Sequence, residues 1–102
     1  MSRNVPLFVA LAEVELHLPG ARSLKEKRHD VRSVVERLRQ RLSVLVLESD
    51  HQDLHQRAEL AIVAFATDAE VARGTAARAL DHVHETFAGV VLDERVSVSQ
   101  VR

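Results

Sequence analysis

Eight of the fourteen Lys and Arg residues in this 102-residue chain fall between Arg22 and Arg41: Arg22, Lys25, Lys27, Arg28, Arg32, Arg37, Arg39 and Arg41. Only Glu26, Asp30 and Glu36 are acidic there, eight against three, so the segment carries +5. The remainder, six basic against twelve acidic residues, carries −6, and together they leave a formal net charge of −1. That figure excludes a uniformly basic coat protein, but a local field able to hold an anion survives it. Lys25, Lys27 and Arg28 open a helix, where a cation costs about 0.3–1 kcal/mol relative to an anion because it opposes the helix dipole. An anion drawn to the free N–H groups of that helix start would offset the cost, with Arg22 completing the set.

A second polar run, Asp50-His51-Gln52-Asp53-Leu54-His55-Gln56-Arg57, groups two imidazoles and two carboxylates. Such groups ligate zinc when three are committed in a fixed geometry, but no spacing here is diagnostic, and loop-ordering hydrogen bonds are the expected use. No metal or other cofactor is assigned. The chain has no Cys, which removes thiolate metal sites, disulfides and cysteine nucleophiles together. It also lacks a Gly-x-Ser-x-Gly elbow, a phosphate-cradling glycine loop and a paired-acid signature, so a non-enzymatic protein is expected. His82 and His84, two apart on a helix, point to different faces and read as surface residues.

The elements that must position these groups follow from periodicity. From Pro6 to Leu18 the chain alternates, with Phe8, Ala10, Ala12, Val14, Leu16 and Leu18 in one set, which predicts a long strand. Pro19-Gly20 ends it, and Ser23 followed by Glu26 is a capping-box signature. Leu24, Val31, Val34, Val35, Leu38 and Leu42 then recur at helical spacing. A short apolar strand runs from Val44 to Ser49, and a third strand from Ala58 to Ala66. Thr67 and Glu70 form a second capping box, opening a helix that runs to about Phe87 and contains Gly74 at a cost of about 1 kcal/mol. Gly89 closes that helix, and Val90, Leu92, Val96 and Val98 mark a fourth strand. The order β-α-β-β-α-β predicts a single α+β domain over residues 1–102. Its expected form is ferredoxin-like, a four-stranded antiparallel sheet with two helices on one face.

That topology brings the two polar segments to one end of the sheet. The loop Pro19 to Ser23, the first helical turn and the hairpin Asp50 to Arg57 share an edge with His17. With Lys25 at 0° and about 100° per residue, Arg28, Arg32, Arg39 and Lys25 form a ridge beside the apolar stripe. Lys27 falls at roughly 200°, inside the apolar arc, and is expected to point toward the hairpin. The predicted anion or nucleic-acid edge is therefore Arg22, Lys25, Lys27, Arg28, Arg32, Arg39 and Arg57, beside a hairpin motif of Asp50, His51, Gln52, Asp53 and Gln56. Two uses stand side by side: internal pairing with Asp50 and Asp53, and an external phosphate or acidic partner.

The uncovered sheet face is expected to carry Leu7, Val9, Leu11, Ala61, Val63 and Phe65 together with Glu13, Glu15 and Glu59. A single Phe and three acids disfavour RNA stacking there. The apolar half suggests a partner or a second copy, that is, a homodimer. No apolar run approaches the roughly 18–20 residues that span a bilayer, so no membrane contact is expected. The start lacks the shape of a signal peptide, and with the absent Cys this points to a cytoplasmic protein.

The stretch Glu13 to Arg28 (EVELHLPGARSLKEKR), followed by Asp50 to Ala58 (DHQDLHQRA), resembles the YlxP-like family of small bacterial proteins of unknown function. The likeness covers nearly the whole chain. It implies a ferredoxin-like fold, and it implies a role in ribosome assembly or RNA metabolism, because several members are encoded near transcription-termination, translation-initiation and ribosome-maturation factors. No activity, cofactor or catalytic residue comes with it. The motif positions fall on Arg22, Ser23, Leu24, Lys25, Lys27 and Arg28, and on Asp50, His51, Gln52, Asp53, Gln56 and Arg57; His55 stands where the family often has an aromatic. The function expected from all of this is a binding protein that meets structured RNA, a ribosomal subunit or an acidic protein through the basic helix and hairpin edge. The alternative is a dimeric interaction module using the open sheet face.

Overall fold

A computed structural model describes residues 4–102. Strand β1 (Phe8–His17) leads into helix α1 (Leu24–Arg41), then β2 (Leu45–Asp50), β3 (Arg57–Ala66), helix α2 (Ala69–Thr86) and β4 (Val90–Gln100). The strands form one antiparallel sheet in the order β2-β3-β1-β4, the predicted ferredoxin-like arrangement. Strand limits lie within a residue or two of those read from alternation.

Alternation decides which face the helices cover. Ala10, Ala12, Val14 and Leu16 of β1 lie beside Ala58, Leu60, Ile62 and Ala64 of β3, and all are buried. The alanines let α2 approach closely with Ala72, Ala76 and Ala79, while Leu80 and Val83 fill the remaining space. Helix α1 contributes Val31, Val34 and Leu38 over the β2 side. Leu60 and Ile62 are fully buried, so truncating either to Ala costs about 2–5 kcal/mol.

The first capping box forms with a shift. Ser23 Oγ accepts from the Glu26 N–H at 3.2 Å, as expected, but the Glu26 carboxylate takes the N–H of Arg22. The second is corrected: Asp68, not Thr67, caps α2, its carboxylate accepting from the Glu70 and Val71 N–H groups at 2.9 and 3.1 Å. Asp is a stronger cap than Thr, and here its oxygen reaches the second and third helical N–H groups. His82 is also corrected, since it is half-buried and its Nε2 is enclosed; His84 is exposed and pairs with Glu94 at 2.7 Å.

Candidate functional site

The first turn of α1 hangs over the β2–β3 hairpin, as the topology required. Lys27 is fully buried there. Its ammonium donates to Glu48 Oε2 at 2.8 Å, to the carbonyls of His51 and Arg57 at 2.6 and 3.1 Å, and more distantly to that of Gln52 at 3.4 Å. A buried ammonium is tolerated only when paired and hydrogen-bonded in this way. The expected direction of Lys27 is thus observed, but its donors are spent inside the protein, which withdraws it from the cations open to an external anion. Its carboxylate partner is Glu48 rather than Asp50 or Asp53.

The hairpin loop is ordered by its own motif residues. His51 sits at φ 64°, the left-handed region, with its N–H bonded to Asp50 Oδ1 at 2.8 Å. Its carbonyl also accepts from the Leu54 N–H at 3.1 Å. Gln52 donates to the Glu48 carbonyl at 3.2 Å, and Gln56 reaches the Pro19 and Ala21 carbonyls at 3.4 and 3.3 Å. The Gln56 carbonyl in turn meets the Leu18 N–H at 2.9 Å and His17 Nδ1 at 3.1 Å. Gln56 therefore laces the loop before α1 to the hairpin, and Asp53 and His55 remain exposed.

On the uncovered face the registers place Asp50, Glu59, Glu15 and Asp93 side by side across all four strands. Glu15 accepts from both Arg57 and His51 Nε2, and these bonds, the Arg57 bond foremost, hold its carboxyl below the ordinary value. Arg95 pairs with Glu13 and Asp93 at 3.3 Å each; the Glu13 bond leads in raising its already high pKa. Asp50, His51 and Glu59 place one potential metal-ligand atom each within 4.8 Å of one another. Hydrogen bonds from neighbouring groups account for much of their placement, because His51 is engaged by Glu15 and Glu59 by Ser49 Oγ at 3.0 Å. Of the two imidazoles and two carboxylates in the polar run, Asp50 and His51 come together, with Glu59 as the third group, whereas Asp53 and His55 are not part of that cluster.

The ridge cations divide. Arg39 donates to the Val46 carbonyl at 3.0 Å and Arg57 is tied to Glu15, so both brace the sheet. Arg22, Lys25, Arg28 and Arg32 are exposed, and none forms an ion pair among the described residues. A cavity of about 270 Å³ opens on the other flank of α1, with Leu18, Val34 and Phe87 as its floor and Asp30 and Arg37 at its rim. Arg37 is committed there to the Thr86 carbonyl at 2.9 Å and Ser33 Oγ at 2.7 Å, and none of the predicted anion-site residues lines that cavity.

Residues 9–96 match the family model described as a protein of unknown function, DUF503. The chain belongs to this family. Its members' shared description assigns no activity, and no curated protein matches the chain. Among solved structures, the de novo designed protein Foldit4 is similar, with a TM-score of 0.53 at 14% identity, over 94% of this chain and 99% of that one. That likeness is one of fold alone. No helix among the described residues is long and apolar enough to cross a membrane.

Proposed function

We propose that this DUF503 chain is a non-enzymatic, cytoplasmic binding protein of the YlxP-like kind that docks on the phosphate backbone of structured RNA, in the setting of the ribosome, through α1. The reading rests on one observation: Lys25, Arg28 and Arg32 stand exposed and unpaired on one flank of α1, while the sheet carboxylates Glu13, Glu15 and Asp93 have cations of their own. Arg32 lies seven positions beyond Lys25, roughly 10 Å along the axis, the reach of a few successive phosphates. Arg22 extends the row at the helix start. Phosphate contacts of this kind position a protein without reading sequence, which agrees with a sheet face poor in aromatics.

The test replaces Lys25, Arg28 and Arg32 together by Ala and measures binding to structured ribosomal RNA from about 50 to 200 mM salt. Lys27 is left intact, since its loss would open the hairpin. Three lost phosphate contacts should lower the slope of log affinity against log salt by about 2–3. A folded triple variant that binds with unchanged affinity and slope removes the proposal. Wild-type binding to an acidic polypeptide but not to RNA would reassign the ridge to a protein partner.

A further inference from the structure

Three carboxylates stand in register on the uncovered face. Glu15 lies opposite Glu59 across β1 and β3, and Asp50 lies opposite Glu59 across β2 and β3. Like charges directly opposite one another in a sheet destabilise it. Arg57 answers Glu15, and Arg95 answers Glu13 and Asp93. Glu59 stands between two carboxylates and forms no ion pair among the described residues, while Asp50 has only the His51 ring, 4.0 Å away. Arg95 feels Glu59 least of the three carboxylates around it. Positive charge is therefore lacking at the corner where β2, β3 and the hairpin loop meet.

The His51 ring supplies a nitrogen at that corner. A carboxylate only accepts, so the 2.8 Å contact between His51 Nε2 and Glu15 Oε1 puts the ring proton on Nε2. In the neutral ring Nδ1 then keeps its lone pair. Nδ1 has no hydrogen bond among the described residues, and it lies 4.0 Å from Asp50 Oδ1, beyond hydrogen-bonding distance. Two acceptors thus face each other across a gap of the size that an ion bound to both requires. Histidines that ligate a metal characteristically give their other N–H to a carboxylate, the bond that His51 makes to Glu15. The two carboxylates are held in a similar way, each by one oxygen. Asp50 Oδ1 accepts from the His51 N–H at 2.8 Å and Glu59 Oε1 from Ser49 Oγ at 3.0 Å, while Asp50 Oδ2 and Glu59 Oε2 have no hydrogen bond among the described residues.

We propose that Asp50, His51 and Glu59 form a binding site for a divalent transition-metal ion, with His51 Nδ1 and one oxygen of each carboxylate as ligands and water completing the shell. One ligand atom from each residue already lies within 4.8 Å of the other two. Atoms sharing an ion at about 2.0–2.1 Å are at most about 4.2 Å apart, so the site closes when a side chain turns inward by less than about 1 Å. Asp50 is free to make that turn, since its side chain is 64% exposed.

The donor set selects the class of ion. Carboxylate oxygens alone would suit Mg²⁺ or Ca²⁺, but an imidazole nitrogen among them favours Zn²⁺ and its neighbours in the transition series. Bound there, the ion neutralises Asp50 and Glu59 and joins the first residue of the hairpin loop to β3. Its role is structural. The site lies on the sheet and uses no residue of the α1 ridge, so it stands or falls separately from the RNA reading.

Calorimetric titration of the full chain, stripped of metal by a chelator, with zinc chloride tests this. The wild type should take up one equivalent of Zn²⁺, and magnesium chloride should give no binding. Asp50→Asn, His51→Ala and Glu59→Gln should each weaken zinc binding about tenfold or more, whereas His55→Ala, which removes an exposed imidazole outside the cluster, should leave it unchanged. Nitrogen NMR of the unmutated protein keeps the test independent of how the variants fold: zinc should move the His51 Nδ1 resonance and leave the other five histidines in place. Zinc should also raise the thermal midpoint of the wild type and not that of the three ligand variants. No zinc binding up to about 1 mM, equal binding by the ligand variants, a shift at other imidazoles instead of His51, or magnesium bound as well as zinc would each overturn the proposal.

Discussion

The ammonium of Lys27 donates to the main-chain carbonyl of His51 at 2.6 Å, joining a fully buried helical cation to a loop residue in the left-handed region. The same ammonium holds Glu48 and the Arg57 carbonyl, so one side chain ties α1 to both strands of the hairpin. Replacing Lys27 by Met keeps much of its bulk but leaves a partly buried carboxylate and two carbonyls without their donor. The expected loss is about 3–5 kcal/mol in urea unfolding. Adding Glu48→Leu should recover only part of it, because the Arg57 carbonyl still lacks the ammonium and the His51 carbonyl keeps only its bond from the Leu54 N–H.

The conformation of His51 makes a separable prediction. At φ 64° a Cβ strains the backbone by about 1–2 kcal/mol, which Gly avoids. His51→Ala and His51→Gly both lose the bond to Glu15, so any difference between them reports the backbone alone. The Gly variant should be the more stable of the two in thermal denaturation, despite its more flexible unfolded chain. A more stable Ala variant would show that the loop relaxes out of the left-handed region.

Glu15 links the open face to pH. Its carboxyl is held below the ordinary value of 4.5 by hydrogen bonds from Arg57 and then His51. A carboxyl depressed in the folded state favours folding above its unfolded value, and that contribution disappears as pH falls through the lower, folded value. Arg57→Met should move the Glu15 titration back toward 4.5, followed by carbon NMR of the side-chain carboxyl, and should flatten the acid limb of the stability curve. No movement in the titration would show that Arg57 does not set it.

Much of this arrangement is legible in the sequence, and the exceptions have physical causes. The helical angle of Lys27 put it inside the apolar arc, which is why its turn toward the hairpin could be read. Its acidic partner is not legible there, because the choice between Glu48 and the loop aspartates depends on register. Glu48 follows Val46 by two and shares its helix-facing side, whereas a shift between Glu48 and Asp50 turns Asp50 toward the open face beside Glu59. The contribution of Leu45 and Leu47 to that face is hidden in the sequence for a related reason: a short, continuously apolar strand does not reveal which residues point outward. The helix caps show the same limit, since Thr67 and Asp68 both suit a cap and only backbone geometry chooses between them.

Two glycines should respond to Ala in opposite directions. Gly74 lies inside α2 with only Arg78 Nη1 nearby, 3.9 Å from where a Cβ would stand. Gly74→Ala adds helix propensity at no steric cost and should stabilise by about 0.5–1 kcal/mol. At Gly89 the same methyl would lie 2.3 Å from the His17 carbonyl oxygen and 2.5 Å from the Phe87 ring. The carbonyl belongs to β1, a central strand held on both sides, so it cannot yield cheaply. Gly89→Ala should therefore destabilise by about 1–3 kcal/mol. Thermal melts of the two variants, each against wild type, should move apart by several degrees, and a Gly89→Ala protein as stable as wild type would mean that the α2–β4 turn is free to shift away from the end of β1.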